Sequence, residues 1–368
     1  MKNFRQITIG LVSCMVLPIQ AETYHWDGSA DVTLGSSDNA ETTAQDWLSG
    51  GLWDDGSSSQ SLASWVAGDS AIFGGSAASQ TINAGTITIG DMTFGAGADG
   101  SGTSGTAYTI AGGTLTLSNS TVTTNTDTTI SSSLDGSSSL IKAGAGILTF
   151  NNQKTYSGGT TVDAGLLDLT GGGGSGGTIR GTVDVNSGAT LRISTGDATG
   201  YGTGSDRLAT INLNGGTLNV NSVSNQTLGN ATINMTGASI TGIGGSNIDF
   251  FQGSSALNSL ASATTSNISG ASLQIRQGSG LTIDVADGDA ATDLQINSIV
   301  KSHGSFTTAP LIKAGAGTLS LTAANTYSGA TVVNAGTLKI SNTLRSTSSL
   351  TANNGATLEL GAINMFVG

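Results

Sequence analysis

One short segment carries the densest group of acidic side chains in the chain. Residues 284–293 contain four aspartates, and Asp287 and Asp289 lie on either side of Gly288. Carboxylates around a glycine are suitable ligands for Ca²⁺, and paired carboxylates also cleave polysaccharides. The spacing does not match that of an EF-hand loop. We therefore interpret the segment as a solvated turn, with a calcium site as the alternative.

A second segment with metal-binding character is residues 244–250, GGSNIDF. It is similar to the calcium-binding nonapeptide GGxGxDxUx, with Asn247 in a glycine position, but that motif binds metal in tandem and occurs here once. The histidines His25 and His303 lie far apart in the sequence, and the basic residues are scattered. No catalytic, cofactor-binding or metal-binding residue is therefore predicted.

The composition predicts an ordered, all-β protein. Glycine accounts for 56 of 368 residues and charged residues for only 10%. Threonine, valine, isoleucine and leucine nevertheless alternate with polar residues through most of the chain, which is typical of strands. Only two prolines occur, Pro18 and Pro310, so few positions forbid strand ladders.

A short module recurs from residue 79 onward, in which two alternating segments flank a glycine-containing turn. Examples are YTIAGGTLTL (108–117), INLNGGTLNV (211–220) and VVNAGTLKI (332–340). Glycine and asparagine supply the positive φ that a tight corner requires. Because no helical period interrupts the modules, we predict a right-handed parallel β-helix, or β-solenoid, with coils of about 20–30 residues. A pair of β-sandwiches is the alternative fold.

The amino terminus has the pattern of a secretory signal peptide, predicted over residues 1–21. Lys2 and Arg5 precede an apolar run from residue 7 to 17, and Ala21 offers a small residue at the cleavage site. The sequence around Cys14 also resembles a lipoprotein box, so lipid anchoring at Cys14 is the less favoured alternative. Ordinary cleavage removes Cys14, the one cysteine of the chain.

Residues 22–78 differ from the remainder because they contain all four tryptophans, Trp26, Trp47, Trp53 and Trp65. A solenoid exposes the edge of its last coil, and an aromatic cover protects such an edge from pairing with another chain. We predict an N-terminal cap over residues 22–78 and a solenoid over residues 79–368. A sugar-binding face made of the tryptophan rings is the alternative.

The strongest internal similarity joins residues 140–169 and 311–340. The two segments agree at 17 of 30 positions when Leu140 is aligned on Leu311. Lys142 and Lys313 share a position, at which we expect the polar edge of a coil beside an Ala-Gly-Ala-Gly corner. Tyr156 and Tyr327 also correspond, and we expect each to pack over the neighbouring coil with its hydroxyl exposed. All four side chains are predicted to be structural.

These segments, with KAGAGxL followed by TYSGxTxVxAGxL, resemble the autotransporter-associated β-strand repeat. The resemblance implies a β-helical passenger region of a bacterial surface or exported protein, in which the repeat assists export. An autotransporter continues into a membrane barrel, whereas this chain ends at Gly368, directly after a solenoid module. A freely secreted or periplasmic protein and a truncated autotransporter are both open hypotheses.

We therefore expect an exported, non-catalytic bacterial β-solenoid, secreted or at the outer-membrane surface, with an adhesin-like or structural role. Its expected partners are the export machinery and extracellular glycans or other cell-surface components. A net charge of −12 without a basic stripe argues against nucleic acid, and no membrane-spanning segment is predicted in the mature chain. A β-helical polysaccharide lyase or hydrolase, and a glycan-binding module, are the alternative functions.

Overall fold

A computed structural model describes residues 22–26, 45–48, 53–54, 62–63, 65–74, 80–95, 107–345, 348–361 and 365–366. Within these ranges the chain forms 39 strands and no helix, as the all-β prediction requires. The predicted signal peptide and Cys14 lie outside the described residues, so both stay predictions.

The strands are short, and their bounds follow in chain order. Those of the N-terminal third are β1 (Thr23–Trp26), β2 (Gln45–Asp46), β3 (Trp53–Asp54), β4 (Leu62–Ala63), β5 (Ser70–Phe73), β6 (Gln80–Asn83), β7 (Thr86–Ile89), β8 (Met92–Phe94), β9 (Tyr108–Ala111), β10 (Thr114–Leu117), β11 (Ser120–Thr124), β12 (Thr128–Ile130) and β13 (Ser133–Asp135). Those of the middle third are β14 (Leu140–Ala143), β15 (Ile147–Phe150), β16 (Thr160–Val162), β17 (Leu166–Leu169), β18 (Gly181–Asn186), β19 (Thr190–Ile193), β20 (Leu208–Asn214), β21 (Thr217–Val220), β22 (Asn225–Gly229), β23 (Thr232–Thr236), β24 (Ser239–Gly242), β25 (Asn247–Phe251) and β26 (Ala256–Ser259). Those of the C-terminal third are β27 (Ser266–Ile268), β28 (Ser272–Arg276), β29 (Leu281–Val285), β30 (Leu294–Ile296), β31 (Val300–Ser302), β32 (Leu311–Ala314), β33 (Thr318–Leu321), β34 (Thr331–Val333), β35 (Thr337–Ile340), β36 (Leu344–Arg345), β37 (Leu350–Ala352), β38 (Thr357–Leu360) and β39 (Met365–Phe366).

Parallel strands stack into a β-solenoid, which confirms the predicted architecture. The first sheet has 16 strands, in the order β37-β34-β32-β29-β26-β23-β20-β18-β16-β14-β11-β8-β5-β1-β3-β4. The second sheet has 14 strands, in the order β2-β6-β9-β12-β15-β17-β19-β21-β24-β27-β30-β33-β35-β38. Each coil contributes one strand to each of these two sheets.

The third side of the coil varies along the chain. Near the N-terminus it is the three-stranded sheet β13-β10-β7, and in the middle it is the four-stranded sheet β22-β25-β28-β31, which we call the four-strand face. In the first repeat (140–169) and the second repeat (311–340) the third side has no strand. The coils of the two repeats therefore have two strands per turn, as has the coil of β18 and β19.

Coil length follows from the strand pairing and is not constant. Leu140 on β14 pairs with Thr160 on β16, whereas Leu281 on β29 pairs with Leu311 on β32, so the second of these coils is clearly longer than the first. Both lengths fall within the range predicted from the sequence. Because the length changes from coil to coil, residues that stack on one another do not recur at a constant spacing in the sequence.

Inward-facing aliphatic residues stack directly on one another and make the core continuous. One such ladder runs through the second sheet as Leu148, Leu167, Leu191, Leu218 and Ile240, all essentially inaccessible to solvent. The alternation in the sequence places every second side chain of a strand in this core. Burial of these ladders is the main force that holds successive coils together.

Outward-facing amides form ladders of their own on the first sheet. Asn212 donates to Asp184 over 2.7 Å, Asn234 donates to Asn212 over 2.8 Å, and Asn258 donates to Asn234 over 2.8 Å. Asn212 and Asn234 each serve as donor to the preceding coil and as acceptor from the following one. This arrangement satisfies polar groups along the rod without a second protein layer.

The tryptophan cluster lies at the N-terminal end of the core. Trp47 is fully buried, with ring centroids 5.2 Å from Trp53, 5.1 Å from Trp65 and 5.1 Å from Phe73. β3 pairs antiparallel with β1 and with β4, which ends the parallel ladder of the first sheet. This geometry is that of an end cover, while the boundaries 22–78 stay a prediction because many of those residues lie outside the described ranges.

Candidate functional site: the repeat corners and the four-strand face

The shared lysine of the two repeats occupies the inside of a corner. Lys142 Nζ donates to the carbonyl oxygens of Ala143 (2.9 Å), Gly144 (2.7 Å) and Ala164 (2.9 Å). Ala164 belongs to the corner of the next coil, so a single ammonium joins two successive corners. The side chain is fully buried, and the predicted position at a polar edge was therefore wrong. Leu140 and Lys142 are two residues apart on β14, which places both on the inward row.

The second repeat reproduces this corner. Lys313 Nζ donates to Ala314 (2.7 Å), Gly315 (2.7 Å) and Ala335 (3.1 Å). Burial lowers the pKa of both Lys142 and Lys313 to about 8, while three oxygen acceptors around each Nζ favour the charged form. The arrangement matches the preference of an ammonium group for three acceptors, and it leaves no donor free for a ligand.

The backbone of the corner depends on glycine at Gly144 and Gly315, which have φ of +76° and +75°. A Cβ at Gly144 would overlap the carbonyl oxygen of Thr124 in the preceding coil, and one at Gly315 would overlap that of Val285. A side chain is therefore excluded at both positions for two reasons, the positive φ of the backbone and the close stacking of the coils.

An aspartate of the preceding coil supports each corner. The backbone N–H of Ile147 donates to Asp127 over 3.1 Å, and the backbone N–H of Thr318, at the equivalent position, donates to Asp293 over 2.7 Å. Asp293 also accepts the N–H of Gly288 over 2.8 Å and is buried. The last carboxylate of the acidic segment 284–293 is thus occupied by backbone donors.

The remaining acidic side chains of that segment do not converge. Asp284 is exposed on β29, and Asp287 and Asp289 are exposed in the loop that follows. Within the described part of the chain, no three histidine, cysteine, aspartate or glutamate side chains are grouped closely enough to hold a metal ion. The geometry therefore offers no support for the calcium alternative in this segment.

The repeat tyrosines lie inside the coil on its strandless third side. The hydroxyl of Tyr156 is 2.6 Å from Thr160 Oγ1, and that of Tyr327 is 2.7 Å from Thr331 Oγ1. Both side chains are buried, so the expectation of exposed hydroxyls was wrong. Burial raises the pKa of each phenol well above its usual range. A third side without a strand has no side-chain alternation from which the sequence could predict an inward direction.

Lys154 is a third buried lysine, and it occurs in the first repeat alone. Its Nζ donates to Ile130 O (2.6 Å), Ser132 O (2.7 Å) and Asn152 Oδ1, and it lies 5.1 Å from the centroid of the Phe150 ring. Burial lowers the pKa of Lys154 to about 7.

The second repeat has Asn325 at the position of Lys154. The Asn325 amide donates to Ala323 O over 3.0 Å and accepts the N–H of Val300 over 2.9 Å. A buried amide therefore bonds to the preceding coil where the first repeat uses a buried ammonium.

The four-strand face brings together charged residues that are dispersed in the sequence. Gln274 on β28 pairs with Asp249 on β25 and with Lys301 on β31, so these three side chains form one outward row. Arg276 pairs with Phe251, and the backbone N–H of His303 bonds to Ile275 next to it. Arg276, Lys301 and His303 thus lie on neighbouring coils around Asp249.

Asp249 is the buried centre of this group. One carboxylate oxygen, Oδ2, accepts from Asn225 Nδ2 over 3.0 Å and lies 3.4 Å from an Arg276 guanidinium nitrogen. The other, Oδ1, has no hydrogen-bond partner in the described part of the chain, and neither has Asn247 Oδ1. Burial raises the pKa of the Asp249 carboxyl, and the charges of Arg276, His303 and Lys301 oppose this rise. The Arg276 guanidinium also packs over the Phe251 ring, 4.8 Å from its centroid.

The expectation that basic residues are scattered was therefore wrong for this face. Asp249, Arg276 and His303 are equally spaced in the sequence, by an interval close to the local coil length. That interval is the one signal in the sequence that could have found the group. It requires the register of the coils, which varies along the chain.

The tryptophans offer less to a ligand than the sugar-binding alternative requires. Trp26, Trp47 and Trp53 are buried, and the Trp53 indole N–H donates to Trp47 O over 2.9 Å. Trp65 is half-buried beside a cleft of about 330 Å³ that also contains Leu48 and Thr86. Most of the ring surface in the cap is thus covered by other rings.

The two repeats match a family model described as passenger-associated-transport-repeat, at residues 140–169 and 311–340. The chain therefore carries two passenger-associated transport repeats, in agreement with the resemblance drawn from the sequence. Neither the curated proteins nor the solved structures gave a significant match. Among the described residues, no helix has the length and apolar character needed to cross a membrane.

Proposed function

We propose that the protein is an exported, non-catalytic β-solenoid of the passenger type, with an adhesin-like or structural role at or beyond the bacterial surface. The observation that carries this proposal is the match of two coil pairs to the passenger-associated transport repeat. The predicted signal peptide over residues 1–21 is a separate expectation from the sequence and agrees with it.

The use of the repeat residues supports a structural role. Lys142 and Lys313 donate to corner carbonyls, Tyr156 and Tyr327 bond to threonines inside the coil, and the shared glycines permit close stacking. These side chains serve the geometry of the coil, and none of them points its functional group at solvent. A repeat with such residues builds a rod whose outer ladders are free to carry contacts.

Export is tested by expressing the full chain in a Gram-negative host. We expect the mature protein in the medium, or on the surface of intact cells where added protease digests it. A matched variant without residues 1–21 should stay in the cytoplasm. Accumulation of the full chain as a soluble, unprocessed cytoplasmic protein would contradict the proposal.

A β-helical polysaccharide lyase or hydrolase is the second candidate, because Asp249, Arg276, Lys301 and His303 surround one point of a solenoid face. Catalysis requires a carboxyl group that reaches the substrate, whereas the Asp249 side chain is fully buried. Incubation of the purified protein with common polysaccharides should release neither reducing ends nor unsaturated products. Release of either product, and its loss in Asp249→Asn, would favour the enzyme.

A further inference from the structure

The four-strand face carries a positive charge, that of Lys301, which makes no ion pair with the described residues, although the net charge of the chain is −12. Lys142, Lys154 and Lys313 each donate to protein oxygens, and Lys339 lies 3.5 Å from Glu359. Lys301 is half-buried on β31, and no described protein acceptor pairs with its Nζ. Its ammonium group is thus available to a partner outside the chain.

Arg276 is held in position next to Lys301 with most of its donors unused. The guanidinium packs over Phe251, and one nitrogen contacts Asp249 at 3.4 Å, a long distance for an ion pair. A guanidinium has five N–H donors in a fixed plane, an arrangement that suits the two oxygens of a carboxylate or sulfate group. Stacking on Phe251 reduces the freedom that the side chain would lose on binding.

Neutral polar side chains lie beside these cations. Gln274 and Ser272 are half-buried on β28, and Gln274 pairs with Lys301 of the neighbouring coil. Asp249 Oδ1 and Asn247 Oδ1 have no hydrogen-bond partner among the described residues, but both atoms are buried and do not meet a ligand. A ligand with hydroxyl groups next to its charges bonds to the exposed amide and hydroxyl groups while its anions contact the cations.

We propose that the four-strand face binds an anionic glycan, a polysaccharide whose carboxylate or sulfate groups contact Arg276 and Lys301 while its hydroxyls contact the neighbouring amides. A nucleic acid fits less well, because its affinity depends on many contacts between basic side chains and phosphates, and this face offers two such cations. A neutral glycan leaves the two cations without a role. This inference goes beyond the proposed export and surface role and does not depend on it.

The test uses the folded full chain on three immobilised probes at about 50 mM NaCl, namely polygalacturonate, chondroitin sulfate and neutral dextran. We expect retention on at least one charged probe and none on dextran. Retention should fall steeply toward about 500 mM NaCl, because salt screens exposed charges. Comparing retention on polygalacturonate with retention on chondroitin sulfate distinguishes recognition of carboxylate groups from recognition of sulfate groups.

Two variants and one matched control assign the binding to this face. Lys301→Gln and Arg276→Gln should each weaken retention about tenfold, the expected loss of a charge-assisted hydrogen bond. Arg192→Gln makes the same change of charge on the second sheet, where Arg192 pairs with Asp168 over 2.7 Å, and should bind as the unaltered chain does. Lys301→Gln is the more informative variant, because Lys301 has no described protein partner that the substitution would leave unpaired. Circular dichroism melting checks that each variant folds.

The proposal is overturned if neither charged probe retains the protein, if dextran retains it equally, or if Arg192→Gln loses as much affinity as Lys301→Gln. Stronger retention on immobilised duplex DNA than on either charged glycan also overturns it. Each of these results is obtained with purified protein and leaves the outcome of the export experiment unaffected.

Discussion

The two repeats share a corner and differ on the strandless side of the coil. At the corner, Lys142 and Lys313 make the same three bonds to carbonyl oxygens. Near the strandless side, the first repeat has Lys154 beside Phe150, whereas the second has Asn325 and Leu321 at the corresponding positions. A cation and an aromatic ring are thus replaced together by an amide and an aliphatic side chain.

The difference shows which requirements of the coil are strict. Three carbonyl oxygens from two coils converge at the corner, and a lysine ammonium offers three donors on a long, flexible stem. The strandless side requires only that polar groups of the preceding coil be satisfied, which Lys154 does by donating to Ile130 and Ser132 and Asn325 does by accepting from Val300. The two repeats therefore keep the same corner and tolerate two solutions elsewhere.

The largest effects should come from the tyrosines, which the two repeats share. Tyr156→Ala and Tyr327→Ala each remove a fully buried ring and should lower the free energy of unfolding by about 3–5 kcal/mol. Tyr→Phe at either site keeps the ring and should cost about 1 kcal/mol, the net worth of one hydrogen bond. Urea unfolding followed by circular dichroism provides the measurement.

Equal losses in the two repeats are expected, because both hydroxyls bond to the equivalent threonine. If one Tyr→Ala variant unfolds at the same urea concentration as the unaltered chain, the third sides of the two repeats are not packed alike.

The corner lysines come next in expected effect. Lys142→Met and Lys313→Met keep the length of the side chain but leave three carbonyl oxygens without the ammonium. Each should lower the free energy of unfolding by about 2–3 kcal/mol. Hydrogen exchange of the amides in the two corners locates the loss, since a solenoid opens locally and its coils contribute separately.

Lys339→Met is the matched control, because Lys339 lies on an outer ladder and is partly exposed. A loss at Lys142 no greater than that at Lys339 would mean that the shared lysine is not a structural element of the corner.

Much of the fold follows from local sequence patterns. Alternation predicts strands, glycine and asparagine predict corners, and tryptophans concentrated in one segment predict a cover at one end. The inward position of Lys142 could also have been predicted from the sequence, since Leu140 and Lys142 lie two residues apart on a strand. It was missed because a charged side chain is expected at the surface unless it is paired.

The four-strand face could not be predicted in the same way. Asp249, Arg276 and His303 come together only when the length of the intervening coils is known, and coil length differs from one part of the solenoid to another. The orientation of Tyr156 could not be predicted for a different reason, because its segment forms no strand and its side chains do not alternate in direction. Local patterns therefore determine the cross-section of the coil, whereas the register of the stack decides which outer residues meet.

The difference at Lys154 predicts a stronger pH dependence for the first repeat than for the second. Burial lowers the pKa of Lys154 from 10.5 to about 7, so the unfolded chain binds more protons than the folded chain above that pH. Stability therefore rises with pH from about 7, and Lys142 and Lys313, with pKa values of about 8, add to the rise. The contribution of Lys154 between pH 7 and pH 8 should be roughly 1 kcal/mol.

Lys154→Asn should reduce this rise by roughly 1 kcal/mol, and urea midpoints at pH 7 and pH 8 measure it. Adding Phe150→Leu reproduces the pair found in the second repeat, and the double variant should be more stable than the sum of the single changes predicts. A rise of the same size in Lys154→Asn as in the unaltered chain would assign the titration to other groups.

The smallest effects are expected on the outer ladder, where the two repeats have opposite charges. Asp168 in the first repeat pairs with Arg192 over 2.7 Å and also accepts from Ser194, whereas Lys339 in the second lies 3.5 Å from Glu359, with both side chains exposed. Arg192→Ala should therefore cost about 0.5–1 kcal/mol and Lys339→Ala less than about 0.5 kcal/mol. Raising the salt concentration should reduce the cost of Lys339→Ala by a larger fraction than the cost of Arg192→Ala. Salt screens exposed charges strongly and partly buried charges much less. Equal costs for the two variants in thermal melts would show that the sign and burial of these pairs are incidental, and that the inward corner alone distinguishes a repeat from an ordinary coil.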